Sequence, residues 1–262
     1  MSELICVRRN NEIVELSLNK PNKFNAFDFE MITCLANHLV DLSVDDNIRG
    51  IVITGEGKAF CAGGDLKWIN GFPHGPSAAF YKMAANFHHA ILEIRRMPKP
   101  VIAAINGIAA GGGFMLALAC DFRVISKSAS FRQAYTSSGL CIDGGGTFSL
   151  PRLVGLARAL EIAAFDKPIS SEQALSWGLV TKVVEDGKAL EEALRMAHEI
   201  AKGSLNSFKW VKRLLIDSYN TTIEEHLENE RYGLSSCASH IDGKEGLQAF
   251  AEKRKPVFFN QK

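Results

Sequence analysis

The chain has 262 residues, of which 47% are hydrophobic and 23% charged, enough for one large globular domain with a sizeable core. A net charge of +1 gives no electrostatic case for nucleic acid or an anionic membrane surface. No apolar run is long enough to span a bilayer, the start MSELICVRRNNE turns polar too early for a secretory leader, and six scattered cysteines without a CxxC pair point to free thiols in a cytoplasmic setting and away from a metal site.

In chain order, LICVRR and EIVELSLN read as a hairpin turning at Asn10-Asn11. In the second of these, Val14, Leu16 and Leu18 alternate with Glu15, Ser17 and Asn19, the pattern of a half-buried strand. Met31, Leu35, Leu39 and Leu42 recur at helical spacing over 28–42. GIVITG (50–55), PVIAAI (100–105) and FRVIS (122–126) are short β-branched runs of the kind that both faces of a parallel sheet bury. Helices are predicted over 76–97, 112–119 and 145–165, with NGFPHGPSA (70–78) as a loop, either an ordinary connection or a mobile lid. Ser170 and Gln173 form a capping-box pattern for a helix that stops at Gly178. LVTKVV is the last strand, and everything beyond about residue 190 is helical. The alternation predicts an α/β core over 1–190 and a helical C-terminal region over 191–262.

Two glycine stretches follow predicted strands and open helices. AFCAGGDL passes through Ala62-Gly63-Gly64 to Asp65, a natural N-cap, and NGIAAGGGFM starts an apolar helix at Gly111-Gly112-Gly113. A helix beginning on glycines presents unpaired N–H groups at its positive end. Two such sites in one sheet can aim one N–H each at a single oxygen, an oxyanion hole for charge developing on a carbonyl. A phosphate-gripping loop is excluded, because no GxxxxGK[ST] occurs. A third stretch, CIDGGGTF, sets one carboxylate, Asp143, before three glycines that let other atoms approach it closely.

NKPNKFNAF, AFCAGGDL, PKPVIAAINGIAAGGG, ACDFRV, GGGTFSLPRLVG and ALSWGLVTKVV occur in register from about residue 12 to the closing AFAEKRKP, and together they resemble the crotonase, or enoyl-CoA hydratase/isomerase, superfamily. The resemblance implies a spiral of ββα units with a C-terminal α-helical trimerisation region, and a homotrimer or dimer of trimers. It also implies a coenzyme A thioester as substrate, no permanently bound cofactor, and an oxyanion hole at Gly64 and Gly112. Hydratases of the family use two glutamates; the matching positions here are Met115 and Tyr135, which counts against simple hydration. Asp143 matches the carboxylate of single-acid enoyl-CoA isomerases of phenylacetate and fatty-acid degradation, so the resemblance implies a 1,3-proton shift with Asp143 as acid and base. An alternative is an aryl-CoA dehalogenase or hydrolase that uses Asp143 as nucleophile with a histidine near His88, although His88 and His89 read as surface or packing residues of a helix. A hydratase-like enzyme and a non-catalytic binding protein of the same fold are the further alternatives. For coenzyme A the resemblance implies contacts at Lys23, Phe24, Ala26, Ala62 and Lys67, and at Lys253 from a neighbouring subunit. Leu227, Tyr232, Leu234, Leu247 and Phe250 suit helices packed on a partner or on an internal core.

Overall fold

The computed structural model describes residues 3–258. Strands β1 (Ile5–Asn10) and β2 (Ile13–Leu18) form the expected antiparallel hairpin, turning at Asn11, whose φ is +55. Helix α1 (Phe29–Val44) starts at Asp28, whose side chain accepts the Met31 N–H, and buries Met31, Leu35, Leu39 and Leu42. Next come β3 (Gly50–Gly55), β4 (Ala59–Cys61), α2 (Leu66–Asn70) and α3 (Gly75–Arg96). They are followed by β5 (Val101–Ile105), β6 (Ile108–Ala110), α4 (Gly112–Ala119), β7 (Phe122–Ser126) and β8 (Ser130–Arg132). The remainder comprises α5 (Gly146–Phe165), β9 (Ile169–Ser170), α6 (Ser171–Ser176), β10 (Lys182–Val184), α7 (Ala189–Ala201), α8 (Leu205–Asp217), α9 (Ile223–Ser239) and α10 (Ile241–Ala251).

Strands are dealt alternately to two sheets. A six-stranded sheet runs β1-β2-β3-β5-β7-β10, parallel except for the opening hairpin, and a four-stranded sheet runs β4-β6-β8-β9. Each successive pair, β3/β4, β5/β6 and β7/β8, gives its first strand to the large sheet and its second to the small one, which is the spiral implied by the motifs. One face of the large sheet meets α7, where Ala189, Ala193, Ala197 and Ala201 form a ridge of small side chains against Val52, Ile102, Ala104 and Val124. The other face builds the main core with α1, α3 and α4.

Three expectations are corrected. β2 is buried on both faces, because Glu15 and Ser17 satisfy each other at 2.6 Å and Glu15 also accepts from Arg8 at 2.5 Å. The segment 70–78 is no long loop: a turn over 71–74 joins α2 to α3, and Gly75 to Ser77 already belong to the helix. Helix α5 is interrupted at Gly155 (φ 74, ψ 161). The capping box at Ser170 and Gln173 is formed in full. Among the described residues, no helix is long and apolar enough to cross a membrane.

Candidate active site

The two glycine stretches meet. The carbonyl of Gly63 accepts the Phe27 N–H at 2.8 Å, Phe27 in turn accepts the Asp65 N–H at 2.8 Å, and these bonds pin the 61–65 loop to the chain ahead of α1. A Cβ added at Gly63 would lie 3.1 Å from the Gly112 nitrogen, so the loop rests directly on the start of α4. Among the described residues, neither the Gly64 nor the Gly112 N–H has an acceptor, whereas Gly111 donates to the Arg132 carbonyl at 3.0 Å. Two unspent main-chain donors thus stand at one junction, beside the positive end of a buried helix. Phe27 and Phe87 wall it, with ring centroids 5.3 Å apart, and a Cβ at Gly112 would come within 2.7 Å of the Phe27 ring.

Asp143 stands on the turn into α5, its side chain 35% exposed. Met115 is buried beneath this turn: its Sδ would lie 2.2 Å from a Cβ at Gly146, and its Cβ 3.0 Å from one at Gly144. The floor under the acid is therefore a thioether. Tyr135 flanks the same turn. Burial and the neighbouring Asp143 charge push its phenol well above the ordinary range, with the Asp143 main-chain N–H partly offsetting them, so Tyr135 stays a neutral hydroxyl. The loop carrying Tyr135 is tied down by Asp166, whose Oδ1 accepts the Ala134 N–H at 2.8 Å, and by Gln133, which accepts the Tyr135 N–H at 3.0 Å. Burial pushes the Asp166 carboxyl up, but donation from Ser137, Ala134 and Arg132 outweighs it and holds this acid below its ordinary value.

His88 is exposed on α3, as expected of a surface residue, but it also meets the acid. Its Nε2 lies 2.5 Å from Asp143 Oδ1, so α3 delivers an imidazole to the acid from 55 residues away, while His89 sits near Glu93 at 3.6 Å. Among the described residues Asp143 Oδ2 has no partner, which leaves one carboxylate oxygen held and the other free. The signal was faint because a histidine on an amphipathic helix is usually just a polar-face residue.

The residues matched to coenzyme A contacts divide. Lys23, Phe24, Ala26, Ala62 and Lys67 gather around Asp65: Lys23 Nζ pairs with it at 2.6 Å, it caps α2 through the Lys67 N–H at 3.0 Å, and Ala62 donates to the Phe24 carbonyl at 2.9 Å. Among the described residues, the carbonyls of Ala26 and Ala62 accept nothing, which leaves two acceptors at the rim. Lys253 stands exposed just past α10, outside this group. Among the described residues, no cluster of histidine, cysteine or acidic side chains could hold a metal ion. Cys61 and Cys120 are buried thiols pushed up to about 12, inert at neutral pH.

The enoyl-CoA hydratase/isomerase family model matches residues 8–261. The chain is 36% identical to the 1,2-epoxyphenylacetyl-CoA isomerase of Escherichia coli K12, with 98% of this chain and 99% of that one covered. It is 30% identical to the 4-chlorobenzoyl coenzyme A dehalogenase-2 of an Arthrobacter species, over 95% of this chain and 91% of that one. Among solved structures, an enoyl-CoA hydratase from Polaromonas sp. JS666 superimposes with a TM-score of 0.93 at 37% identity, covering 97% of this chain and 99% of that one. The spiral of paired strands and the motif register agree with these likenesses, and the chain is an enzyme of the enoyl-CoA hydratase/isomerase, or crotonase, family.

Proposed function

We propose that the enzyme isomerises enoyl-CoA thioesters by a 1,3-proton shift, with Asp143 as its only acid and base. The observation that carries this is the setting of the acid: a single carboxylate over Met115, with neutral Tyr135 beside it and one oxygen free. Asp143 Oδ2 takes a proton from C2 of a 3-enoyl thioester, and the electrons move onto the thioester oxygen. The Gly64 and Gly112 N–H groups receive that charge, at about 3 kcal/mol for each donor. The same carboxyl then returns the proton to C4, and the double bond stands between C2 and C3. No water is activated, which suits a site whose two hydratase positions are a thioether and a phenol. His88 acts as a positioning residue that holds Oδ1 and so aims Oδ2. Coenzyme A follows the rim at Lys23, Phe24, Ala26, Ala62 and Lys67; Lys23 reaches a phosphate by exchanging its bond to Asp65, and Lys253 comes from a neighbouring subunit.

A second reading rests on the His88–Asp143 contact itself. A carboxylate with an imidazole at 2.5 Å is also the arrangement for nucleophilic attack followed by histidine-assisted hydrolysis, as in a dehalogenase. One assay separates the two. Mixed with a 3-enoyl-CoA, the enzyme is expected to form the conjugated 2-enoyl product, followed by absorbance. Halide released from a haloaryl-CoA, with no conjugation of the enoyl thioester, would transfer the assignment to the second reading. Coenzyme A binding without either reaction would set both readings aside.

A further inference from the structure

Beside the Asp143–His88 pair, a cavity of about 420 Å³ runs between α3 and the start of α5. On α3 it is lined by His88, Ile91, Leu92 and Arg95, one face of the helix, so Arg95 lies two turns, about 10 Å, beyond His88. Phe148 and Gly144 line the opposite wall. The cavity is therefore polar at its His88 end, apolar along Ile91, Leu92 and Phe148, and cationic at Arg95.

Among the described residues, the Arg95 guanidinium has no hydrogen-bond or ion-pair partner; it lies over the Phe148 ring, 5.1 Å from the centroid. Arg152 lies over the same ring at 3.5 Å and adds a second positive charge. The carboxylates that feel Arg95 are spent elsewhere, Asp121 on Lys212 at 2.8 Å and Asp217 on Arg213 at 3.7 Å. Burial and the nearby Arg152 charge both pull the Arg95 group below its ordinary value, the mark of a cation short of a counter-ion. A planar guanidinium left open on a pocket matches a carboxylate bidentately. The Asp143 charge repels an anion from the opposite end, so the orientation of such a ligand is set.

We propose that the preferred substrates are acyl thioesters whose acyl group ends in a carboxylate, bound by Arg95 at the far end of this cavity. The proposal rests on the acyl-CoA reading above, and it is tested by binding so that the two fail separately. Calorimetry with two unreactive saturated thioesters of equal chain length, one ending in a methyl and one in a carboxylate, cancels every contact to the coenzyme. The wild-type enzyme is expected to bind the carboxylate form about ten- to a hundredfold more tightly. Arg95→Met should bring that ratio close to one, and Arg95→Lys, which keeps the charge but loses the fork, should leave an intermediate ratio. A wild-type ratio near or below one overturns the proposal without need of any variant, and so does a ratio that survives in Arg95→Met. If the preference is found but no 3-enoyl thioester is isomerised, the anion pocket stands and the isomerase assignment falls.

Discussion

At Gly144 the backbone turns at φ +58, and a methyl group there would sit 2.4 Å from Phe87 Cε1. Only a glycine allows Asp143 to be carried this close to the helix that supplies His88. Gly144→Ala should therefore cost about 1–3 kcal/mol in a denaturant titration through overpacking. It should also lower turnover by about a hundredfold, because the ring next to His88 must move by something like an ångström. Wild-type turnover in that variant would detach the turn from the chemistry. At this scale the sequence was informative wherever the signal was local. Asp143 ahead of its glycines, Asp65 as a cap and the two glycine junctions could all be read from contiguous residues. His88 could not, since its meaning depends on a contact with an acid on another element. Arg95 has the same character: it reads as one of two basic residues at a helix end, and only the packing of α5 reveals that it lacks a partner.

The long elements were legible because apolar spacing repeats over several turns or across a whole buried strand, as in α1 and β3. The small sheet was not, because β4, β6, β8 and β9 span three residues or fewer and are too short to show a period. β2 misled because its polar positions find partners inside the fold rather than in water. The attachment of the helical tail was equally hidden. Lys212 of α8 is buried and reaches Asp121, just ahead of β7, at 2.8 Å and the Ile94 carbonyl at 2.8 Å. Burial pushes the Asp121 carboxyl up and the Lys212 amine down, and each group is held by the other. Lys212→Met should destabilise the fold by about 3–5 kcal/mol in thermal or denaturant unfolding, since it leaves an uncompensated acid inside. Adding Asp121→Asn should recover much of that loss. A single variant as stable as wild type would show that α8 is anchored by apolar packing alone.

Across the whole molecule, apolar side chains left in the open concentrate on the helical elements. Leu156 and Leu160 of α5, Leu215 of α8, Leu227 and Leu234 of α9, and Leu247 and Phe250 of α10 are more than half exposed. Exposed apolar side chains on several helices are of the kind that a contact between subunits would cover. We therefore expect sedimentation to give three or six subunit masses, with Phe250→Asp shifting the enzyme toward smaller species; a wild-type monomer at micromolar concentration would contradict this. The same assembly would bring Lys253 to a neighbour's coenzyme. The spiral itself was implied by motifs in register, yet the reaction depends on a few side chains set upon it. The most direct test is the rate of 3-enoyl-CoA conjugation in wild type against Asp143→Asn. The variant should bind the thioester as before and turn it over about 100- to 10,000-fold more slowly, the usual contribution of a positioned general base. Equal rates in the two proteins would remove Asp143 from the proton transfer.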